Sequence, residues 1–312
     1  MRDGSLPTKG SKGGSLPNRK VSRSGVMSGG LRTSVSVWNM LILVLASIYF
    51  LFPVYWLVLS ATKVYSQLFS SNGFLPGTKF GLFSNLVHLF TFQHSIYLYW
   101  LLNTIFYAVV GGGLATLIAA VAGYGFGKYE FRGKGIAFGI IIGGVLVPGT
   151  ALVLPLYLLF DKISLLNSYW SVIIPSTISP FGMYLARIYA GRGIPDEILE
   201  AGRMDGAGEF MIFRKVGFPL MKPALVTIFL FQFVATFNDY FLPLVMLNNT
   251  HLYPMALGLN AWDSLITLPG SPPYIYSLIV TGSLVAVLPL VVAIVLLQRY
   301  WSGGLALGAV KG

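Results

Sequence analysis

Long apolar stretches separated by short polar segments make up the chain from Trp38 onward. An α-helix needs about 20 apolar residues to cross the hydrocarbon core of a bilayer, and six stretches have about that length. These stretches are residues 38–60, 97–124, 136–160, 168–188, 223–247 and 276–298. The pattern predicts an all-α membrane protein with six transmembrane helices.

Small residues and prolines are unevenly distributed among these predicted spans. Glycines concentrate in the second and third spans, where they allow close approach of neighbouring helices: Gly111, Gly112, Gly113, Gly123, Gly143 and Gly144. Prolines inside the spans predict kinks or unwound turns, and they are Pro53, Pro148, Pro155, Pro175, Pro180, Pro243 and Pro289.

Composition excludes a soluble protein. The chain is 55% hydrophobic and 10% charged, with a mean hydropathy of +0.74, whereas soluble domains carry about 25% charged residues. Cysteine is absent, which excludes disulfides, thiolate metal sites and thiol nucleophiles. Residues 1–37 are polar and basic, with too few apolar side chains to bury a core, so they predict a disordered tail ahead of a membrane domain over 38–312.

The basic residues predict the orientation of the chain. Although a net charge of +11 could indicate nucleic-acid binding, Lys and Arg accumulate on the cytoplasmic side of membrane proteins. With the N-terminus inside, 18 of the 21 Lys and Arg residues are cytoplasmic, and only Lys63, Lys79 and Lys162 are outside. Both termini, including a C-terminal tail at 299–312, and the loop at 191–222 are therefore predicted to be cytoplasmic.

That cytoplasmic loop, between the fourth and fifth predicted spans, holds five of the ten acidic residues. Pro195 suits the first turn of a helix. The i, i+3, i+4, i+7 spacing then places Ile198, Ala201, Gly202 and Asp205 on one mostly small face. Two interpretations stay open: a solvated amphipathic hairpin and a docking site for a cytoplasmic partner.

A second short helix is predicted beyond the break at residues 206–208. It would run from Glu209 to Val216, present Phe210 and Phe213 on one face, and end at Phe218-Pro219. The loop would therefore form two short helices that lie at an angle across the membrane surface.

The spacing of this loop resembles the signature of permease subunits in binding-protein-dependent ABC importers. That signature reads Glu-Ala-Ala, three residues, Gly, nine residues, Ile, one residue, Leu-Pro. Here Glu200-Ala201-Gly202 is followed by Gly206, Val216 and Phe218-Pro219, with every spacing kept. The substitutions at 202, 216 and 218 preserve small or apolar character.

Other motifs resemble the second, six-span permease of the maltose-type carbohydrate importers. They are Asn103-Thr104, Gly123-Tyr124-Gly125-Phe126, Phe131-Arg132-Gly133-Lys134, Phe237-Asn238-Asp239-Tyr240 and the C-terminal Gly308-Ala309-Val310-Lys311-Gly312. The resemblance covers about residues 38–312 and implies the fold of a type I importer permease in a prokaryotic inner or plasma membrane.

The resemblance also implies partners: a second related permease, a dimer of ATPase subunits that bind ATP-Mg, and an extracytoplasmic sugar-binding protein near residues 248–275. It implies no cofactor, no catalytic residue and no nucleic acid for this chain, which contains no phosphate-binding Gly-x-x-x-x-Gly-Lys-Ser/Thr motif. The residues that it assigns to ATPase coupling are Glu200, Ala201, Gly202, Asp205, Gly206, Ala207, Phe210, Phe213 and Pro219.

Polar residues within the predicted spans have two interpretations each. Asp239, next to Asn238, is the only acidic residue in a predicted span, and such residues often have a functional role. These two residues would line the translocation path or a gate, or make a structural hydrogen bond. Asn103 and Gln232 are interpreted as interhelical contacts.

Aromatic and histidine side chains give weaker signals. Trp38, Tyr97, Trp100 and Trp301 are interpreted as an interfacial belt, with sugar stacking as the alternative. The three histidines, in the outer loops, show no zinc-like spacing, so we predict no metal site.

Two other function classes fit the sequence less well. A stand-alone secondary transporter or channel usually carries intramembrane charges or internal repeats, and the sequence shows one such carboxylate and no repeat. A membrane-embedded enzyme would need a catalytic constellation, which the sequence does not contain. The sequence therefore favours the transport subunit.

Overall fold

The computed structural model describes the backbone of residues 29–309 and the side chains of residues 37–298. Within that part the regular structure is helical, apart from one isolated antiparallel bridge between Lys63 and Phe80. The α-helices are α1 (Gly29–Thr62), α2 (Tyr65–Leu68), α3 (Leu82–Thr91), α4 (Ile96–Lys128), α5 (Lys134–Gly143), α6 (Gly149–Lys162), α7 (Tyr169–Ser176), α8 (Pro180–Gly193), α9 (Asp196–Met204), α10 (Glu209–Ile212), α11 (Phe218–Leu220), α12 (Lys222–Phe237), α13 (Phe241–Met246), α14 (Met255–Ile266) and α15 (Ile275–Ala309).

The first, second and sixth predicted spans are each a single long helix. Val37–Thr62, Ile96–Lys128 and Ile275–Gln298 are long and apolar enough to cross a membrane. The chain divides into two units, residues 1–53 and 54–312. α1 begins at Gly29 and α15 ends at Ala309, so parts of both predicted tails are helical, and the rest lies outside the described residues.

The other three predicted spans are bent or broken. Among the described residues the structure gives three to five candidate spans, so the prediction of six helices is not confirmed. The third consists of α5 and α6, bent by 102° where Pro148 precedes α6. The fourth consists of two short helices, α7 and α8. Ser179 caps α8 by accepting a hydrogen bond from Gly182 N. The fifth ends at Phe237 and is followed by α13.

α4 packs closely against α8 and α12, as the glycine pattern predicts for the second span. A Cβ atom on Gly123 would lie 2.4 Å from Ala186 Cβ, and one on Gly112 would lie 3.3 Å from Phe233 N. Gly113 on α4 and Gly143 on α5 face open space instead. The close approach therefore concerns α4 and does not extend to α5.

An aromatic cluster fills the core where α4 meets α14 and α15. Tyr97 and Trp100 are fully buried there, and Trp100 and Trp262 have ring centroids 4.6 Å apart. The interpretation of Tyr97 and Trp100 as interfacial belt residues is therefore wrong. Trp38 is exposed, and the side chain of Trp301 lies outside the described residues.

Candidate functional site

The loop between α8 and α12 forms two short helical segments. α9 carries Asp196 and Glu197 in its first turn, where carboxylates complement the helix dipole. The turn after α9 passes through Gly206 at φ +78°, a left-handed conformation that glycine adopts without strain. A second helical segment then begins at Glu209. The break thus lies within the region that the sequence indicates.

The second segment is longer than the sequence predicts. Instead of ending at Phe218-Pro219, it continues to Leu220 through a π-helical turn at Phe213–Gly217, and a bend of 75° separates it from α12. A proline ring normally clashes with the carbonyl four residues earlier. The wider π turn, which contains that carbonyl at Lys215, explains how Pro219 is accommodated.

The packed face of α9 differs from the predicted one. Leu199 is buried, whereas Ile198 is 43% exposed. Leu199 and Ile212 join one cluster with buried residues of α4, α8 and α12, among them Tyr124 and Ala186. The loop is thus fixed to α4, α8 and α12. The buried face of α9 is centred on Leu199 and not on the preceding residue, Ile198, as predicted.

Most of the residues assigned to ATPase coupling face away from this cluster. Glu200, Ala201, Asp205 and Gly206 are exposed, and Phe210 is 74% exposed. The remaining members of the set, Gly202, Ala207, Phe213 and Pro219, are half-buried.

Three members of the set, Gly202, Ala207 and Phe213, pack within the chain instead. A Cβ atom on Gly202 would lie 3.3 Å from Ile212 Cγ1, so the glycine lets the two short segments approach each other. The Phe213 ring contacts Tyr124 at a centroid distance of 5.0 Å. Phe210 is therefore the exposed member of the predicted aromatic pair.

Ion pairs and hydrogen bonds hold the loop against the end of α4. Lys128 Nζ lies 2.7 Å from Asp196 Oδ1 and also donates to the Ile194 carbonyl. Arg203 Nε lies 2.7 Å from Glu209 Oε1, and Tyr129 Oη donates to Glu209 Oε2 at 2.6 Å. Lys128 and Tyr129, which are neighbours in the chain, thus hold the first residues of α9 and α10.

These contacts alter the acidity of the loop carboxyls. The hydrogen bond from Lys128 and its positive charge lower the pKa of Asp196. Hydrogen bonds from Arg203 and then from Tyr129 lower the pKa of Glu209. Burial, followed by the hydrogen bond to Glu209, raises the pKa of Tyr129. Both carboxyls are therefore held as carboxylates at neutral pH.

Sequence reasoning missed the roles of Lys128 and Tyr129. The sequence indicated Lys128 only as one of the basic residues predicted to be cytoplasmic, whereas its side chain is only 3% exposed in the structure. The available signal was the position of this Lys-Tyr pair, at the end of an apolar span and next to the Gly123-Tyr124-Gly125-Phe126 motif.

Asn238 and Asp239 lie in the break between α12 and α13. Asp239 Oδ1 accepts a hydrogen bond from Leu242 N at 3.3 Å, which caps the start of α13. Asn238 Nδ2 donates to the Val234 carbonyl at 2.9 Å. These bonds match the structural interpretation, and lining of a translocation path stays a prediction.

The interpretation of Asn103 and Gln232 as interhelical contacts is confirmed. Tyr169 Oη donates to Asn103 Oδ1 at 3.2 Å, which joins α7 to α4. Gln232 Nε2 donates to the Ser176 carbonyl at 2.9 Å, which joins α12 to α7.

One face of α4 holds the backbone of residues 250–255, in the predicted outer loop. Trp100 Nε1, Asn103 Nδ2 and Tyr107 Oη donate to the carbonyls of Thr250, His251 and Leu252 at 2.8, 2.7 and 2.9 Å. Thr104 Oγ1 accepts from Met255 N at 2.6 Å. Because positions 100, 103, 104 and 107 share one helix face, α4 fixes residues 250–255 along two turns.

In the part of the chain that the structure describes, no group of three or more His, Asp or Glu side chains is placed to hold a metal ion. The site consists of a helical loop that is packed against the bundle through Leu199 and Ile212 and exposes the residues on its other face. Such a surface suits binding of another protein.

The comparisons with known proteins agree with this geometry. The chain is 32% identical over 273 residues to the arabinooligosaccharides transport system permease protein AraQ of Bacillus subtilis (strain 168), covering 87% of this chain and 94% of that protein. It is 28% identical to the lactose transport system permease protein LacG of Rhizobium radiobacter, covering 86% of this chain and 94% of that protein. Both relatives are thus matched over nearly their whole length.

The fold has a solved counterpart. A chain in the crystal structure of a bacterial ABC transporter involved in the import of the acidic polysaccharide alginate superposes with a TM-score of 0.77 at 21% identity, covering 89% of this chain and all of that chain. The model of the family "Binding-protein-dependent transport system inner membrane component" matches residues 112–303. The chain therefore belongs to the family of inner membrane components of binding-protein-dependent transport systems.

Proposed function

We propose that this chain is the transmembrane permease subunit of an ABC importer that takes up a sugar or oligosaccharide. It would form half of the translocation pathway with a second, related permease, and couple to a cytoplasmic ATPase through residues 194–219. The sugar class is supported by the relatives named for arabinooligosaccharide and lactose transport.

One observation carries the coupling role. The two short segments of the loop bury Leu199 and Ile212 against the bundle while they expose Glu200, Asp205 and Phe210. A solvated hairpin needs no such anchoring. A surface that must transmit movement needs both a free outer face and a rigid inner attachment.

The energy source lies outside this chain. In this family ATP hydrolysis belongs to separate subunits, so we propose that a dimer of ATPase subunits binds ATP-Mg. On the opposite side an extracytoplasmic sugar-binding protein would contact residues 248–275. The chain would lie in a prokaryotic inner or plasma membrane with both termini and the 191–222 loop in the cytoplasm, as the distribution of basic residues indicates.

Glu200→Lys tests the docking surface. Because Glu200 is exposed and takes part in none of the ion pairs among the described residues, the variant should insert normally. Either the ATPase should no longer co-purify with the variant, or the assembled complex should hydrolyse ATP while sugar uptake falls at least about tenfold. An effect of this size is expected when a charge pair is broken at an interface. The measurements are ATPase co-purification and sugar uptake in cells that express the whole transport operon.

Glu130→Lys is the matched control, because Glu130 is exposed on the neighbouring loop and, within the described part of the chain, forms its ion pair with Lys134. Undiminished uptake by Glu200→Lys would contradict the docking role. Failure of any ATPase subunit to co-purify with the wild-type chain would contradict the importer assignment and favour a stand-alone transporter. Binding of a panel of sugars to the cognate binding protein would identify the substrate.

A further inference from the structure

We propose that α4 is the connection between the cytoplasmic loop and the outer loop, and that Lys128 and Tyr129 are the positioning residues that join it to the cytoplasmic loop. This inference rests on the proposed function, which assigns the cytoplasmic loop to an ATPase and the outer loop to a binding protein. Movement imposed on one loop would then reach the other through a single helix.

The inner attachment holds both short segments of the loop. Lys128 binds Asp196, the first residue of α9, and the preceding carbonyl of Ile194. Tyr129 binds Glu209, the first residue of α10. Arg203, near the end of α9, binds the same Glu209 carboxylate. Since each segment is fixed at its start and the two are joined to each other, the loop would move together with the end of α4.

The outer attachment lies near the other end of the same helix. Four side chains within two turns of α4 bind the backbone of residues 250–255. Those bonds involve main-chain atoms, so they fix the path of the loop rather than one of its side chains. A shift of α4 would therefore displace the outer loop as a unit.

The helix between these attachments is suited to transmit a displacement. From Tyr107 to Tyr129 it spans about 33 Å at 1.5 Å per residue. α1 and α15 contain Pro53 and Pro289, and the helix pairs α5–α6 and α10–α12 are bent, but α4 contains no proline and is continuous. Of the three consecutive glycines, Gly111 and Gly112 are packed against α7 and α12, whereas Gly113 faces open space. Two of the three are therefore supported where the helix would bend most easily.

A simpler role for Lys128 and Tyr129 is local: they could hold the loop in place without transmitting anything. The two roles differ in the sugar-to-ATP ratio, which is the number of sugar molecules taken up per ATP hydrolysed. A local role changes the amount of assembled complex and lowers hydrolysis and uptake together. A connecting role lowers the number of sugar molecules taken up per ATP hydrolysed in complexes that do assemble.

The test is a double-mutant cycle between the two attachments, with the complete transport complex in proteoliposomes. Tyr129→Phe and Tyr107→Phe each remove one hydroxyl and keep the ring. Each should lower the sugar-to-ATP ratio about three- to tenfold, the effect expected for one hydrogen bond. Tyr184→Phe, on α8, is the control.

The double variant decides the question. Independent changes at sites more than about 10 Å apart multiply their effects, whereas two breaks in one connection do not. The double variant should therefore lower the sugar-to-ATP ratio by clearly less than the product of the two single effects. An effect equal to the product, or an unchanged ratio in the single variants, would overturn the proposal. The importer assignment would fail separately, if the wild-type chain carried no ATPase.

Lys128→Met gives a second readout at the inner attachment, because it removes the charge and keeps the buried aliphatic stem. The expected result is a lowered sugar-to-ATP ratio. Lys134→Met, at the first residue of α5, should not show this decrease. Equal ratios in these two variants would overturn the role of Lys128. If Lys128→Met fails to accumulate, the Tyr129→Phe cycle still decides the proposal.

Discussion

At the scale of single residues, Gly123 sets how closely α4 can approach α8. Its missing side chain leaves room for Ala186, and an added Cβ would also lie 2.7 Å from Arg187 N. A backbone atom cannot move aside as a flexible side chain can. The close crossing of these two helices, which brings the end of α4 to the loop at residues 194–219, therefore requires the absence of a side chain at Gly123.

Gly123→Ala should destabilise the protein by about 1–3 kcal/mol, the usual cost of overpacking a well-packed core. Gly113→Ala is the control, because it lies on the same helix and its added methyl group would meet no atom within 4 Å. Thermal unfolding in detergent would compare the two. Equal stability of both variants would contradict the close packing at Gly123.

Asp239 is the residue with two open interpretations. An Asn side chain keeps the oxygen that caps α13, whereas Ala removes it. If the role is structural, Asp239→Asn should assemble and transport normally, and Asp239→Ala should lose about 1 kcal/mol of stability, the typical value of a helix cap.

A path-lining role predicts the opposite pattern. Asp239→Asn would then lower uptake while the amount of folded protein stayed normal. Size-exclusion profiles and uptake measured on the same preparations separate the two outcomes.

At the scale of elements, the loop at residues 194–219 should loosen in acid. The pKa values of Asp196 and Glu209 are lowered in the folded loop by Lys128 and Arg203. A lowered native pKa adds stability that is fully present above the ordinary carboxyl pKa of about 4 and is lost as the pH falls through the native value. Both carboxyl groups are accessible to water, so the effect should be small and should weaken with salt.

The measurement is the stability difference between the wild type and the Asp196→Asn, Glu209→Gln double variant. The wild type should be the more stable at neutral pH, and the difference should shrink below about pH 4. A difference that stayed constant across this range would mean that the ion pairs do not contribute to the stability of the loop.

The sequence was most informative where one residue type has one main physical meaning. Gly206 is at the turn of the loop because that turn requires positive φ. Pro148 and Pro180 coincide with a bend and a helix start, because proline cannot continue the hydrogen-bond pattern of a preceding helix. The glycines of α4 correctly predicted a close helix contact.

Tertiary packing decided the rest. A window of apolar residues does not show whether a span is continuous, so the early end of α12 at Phe237 was not predicted. The buried face of α9 depends on where Ile212 lies, which places Leu199 inward instead of Ile198. Lys128 looked like a solvated charge, because its partner Asp196 is distant in the sequence.

At the scale of the whole molecule, the proposed function requires that the two loops lie on opposite sides of the membrane. The uneven distribution of Lys and Arg predicts this, and the chain contains no cysteine, so single cysteines can be labelled without background. Asp205 and Asp263 are both exposed, one after α9 and the other on α14.

Asp263→Cys should react with a membrane-impermeant maleimide in intact spheroplasts, and Asp205→Cys should react only in inside-out vesicles. Detergent-solubilised protein, in which both should react, controls for accessibility. Reaction of both cysteines from the same side would remove the basis for an ATPase at one loop and a binding protein at the other. It would also leave α4 without two separate surfaces to connect, because a helix that joins loops on one side carries no signal across the membrane.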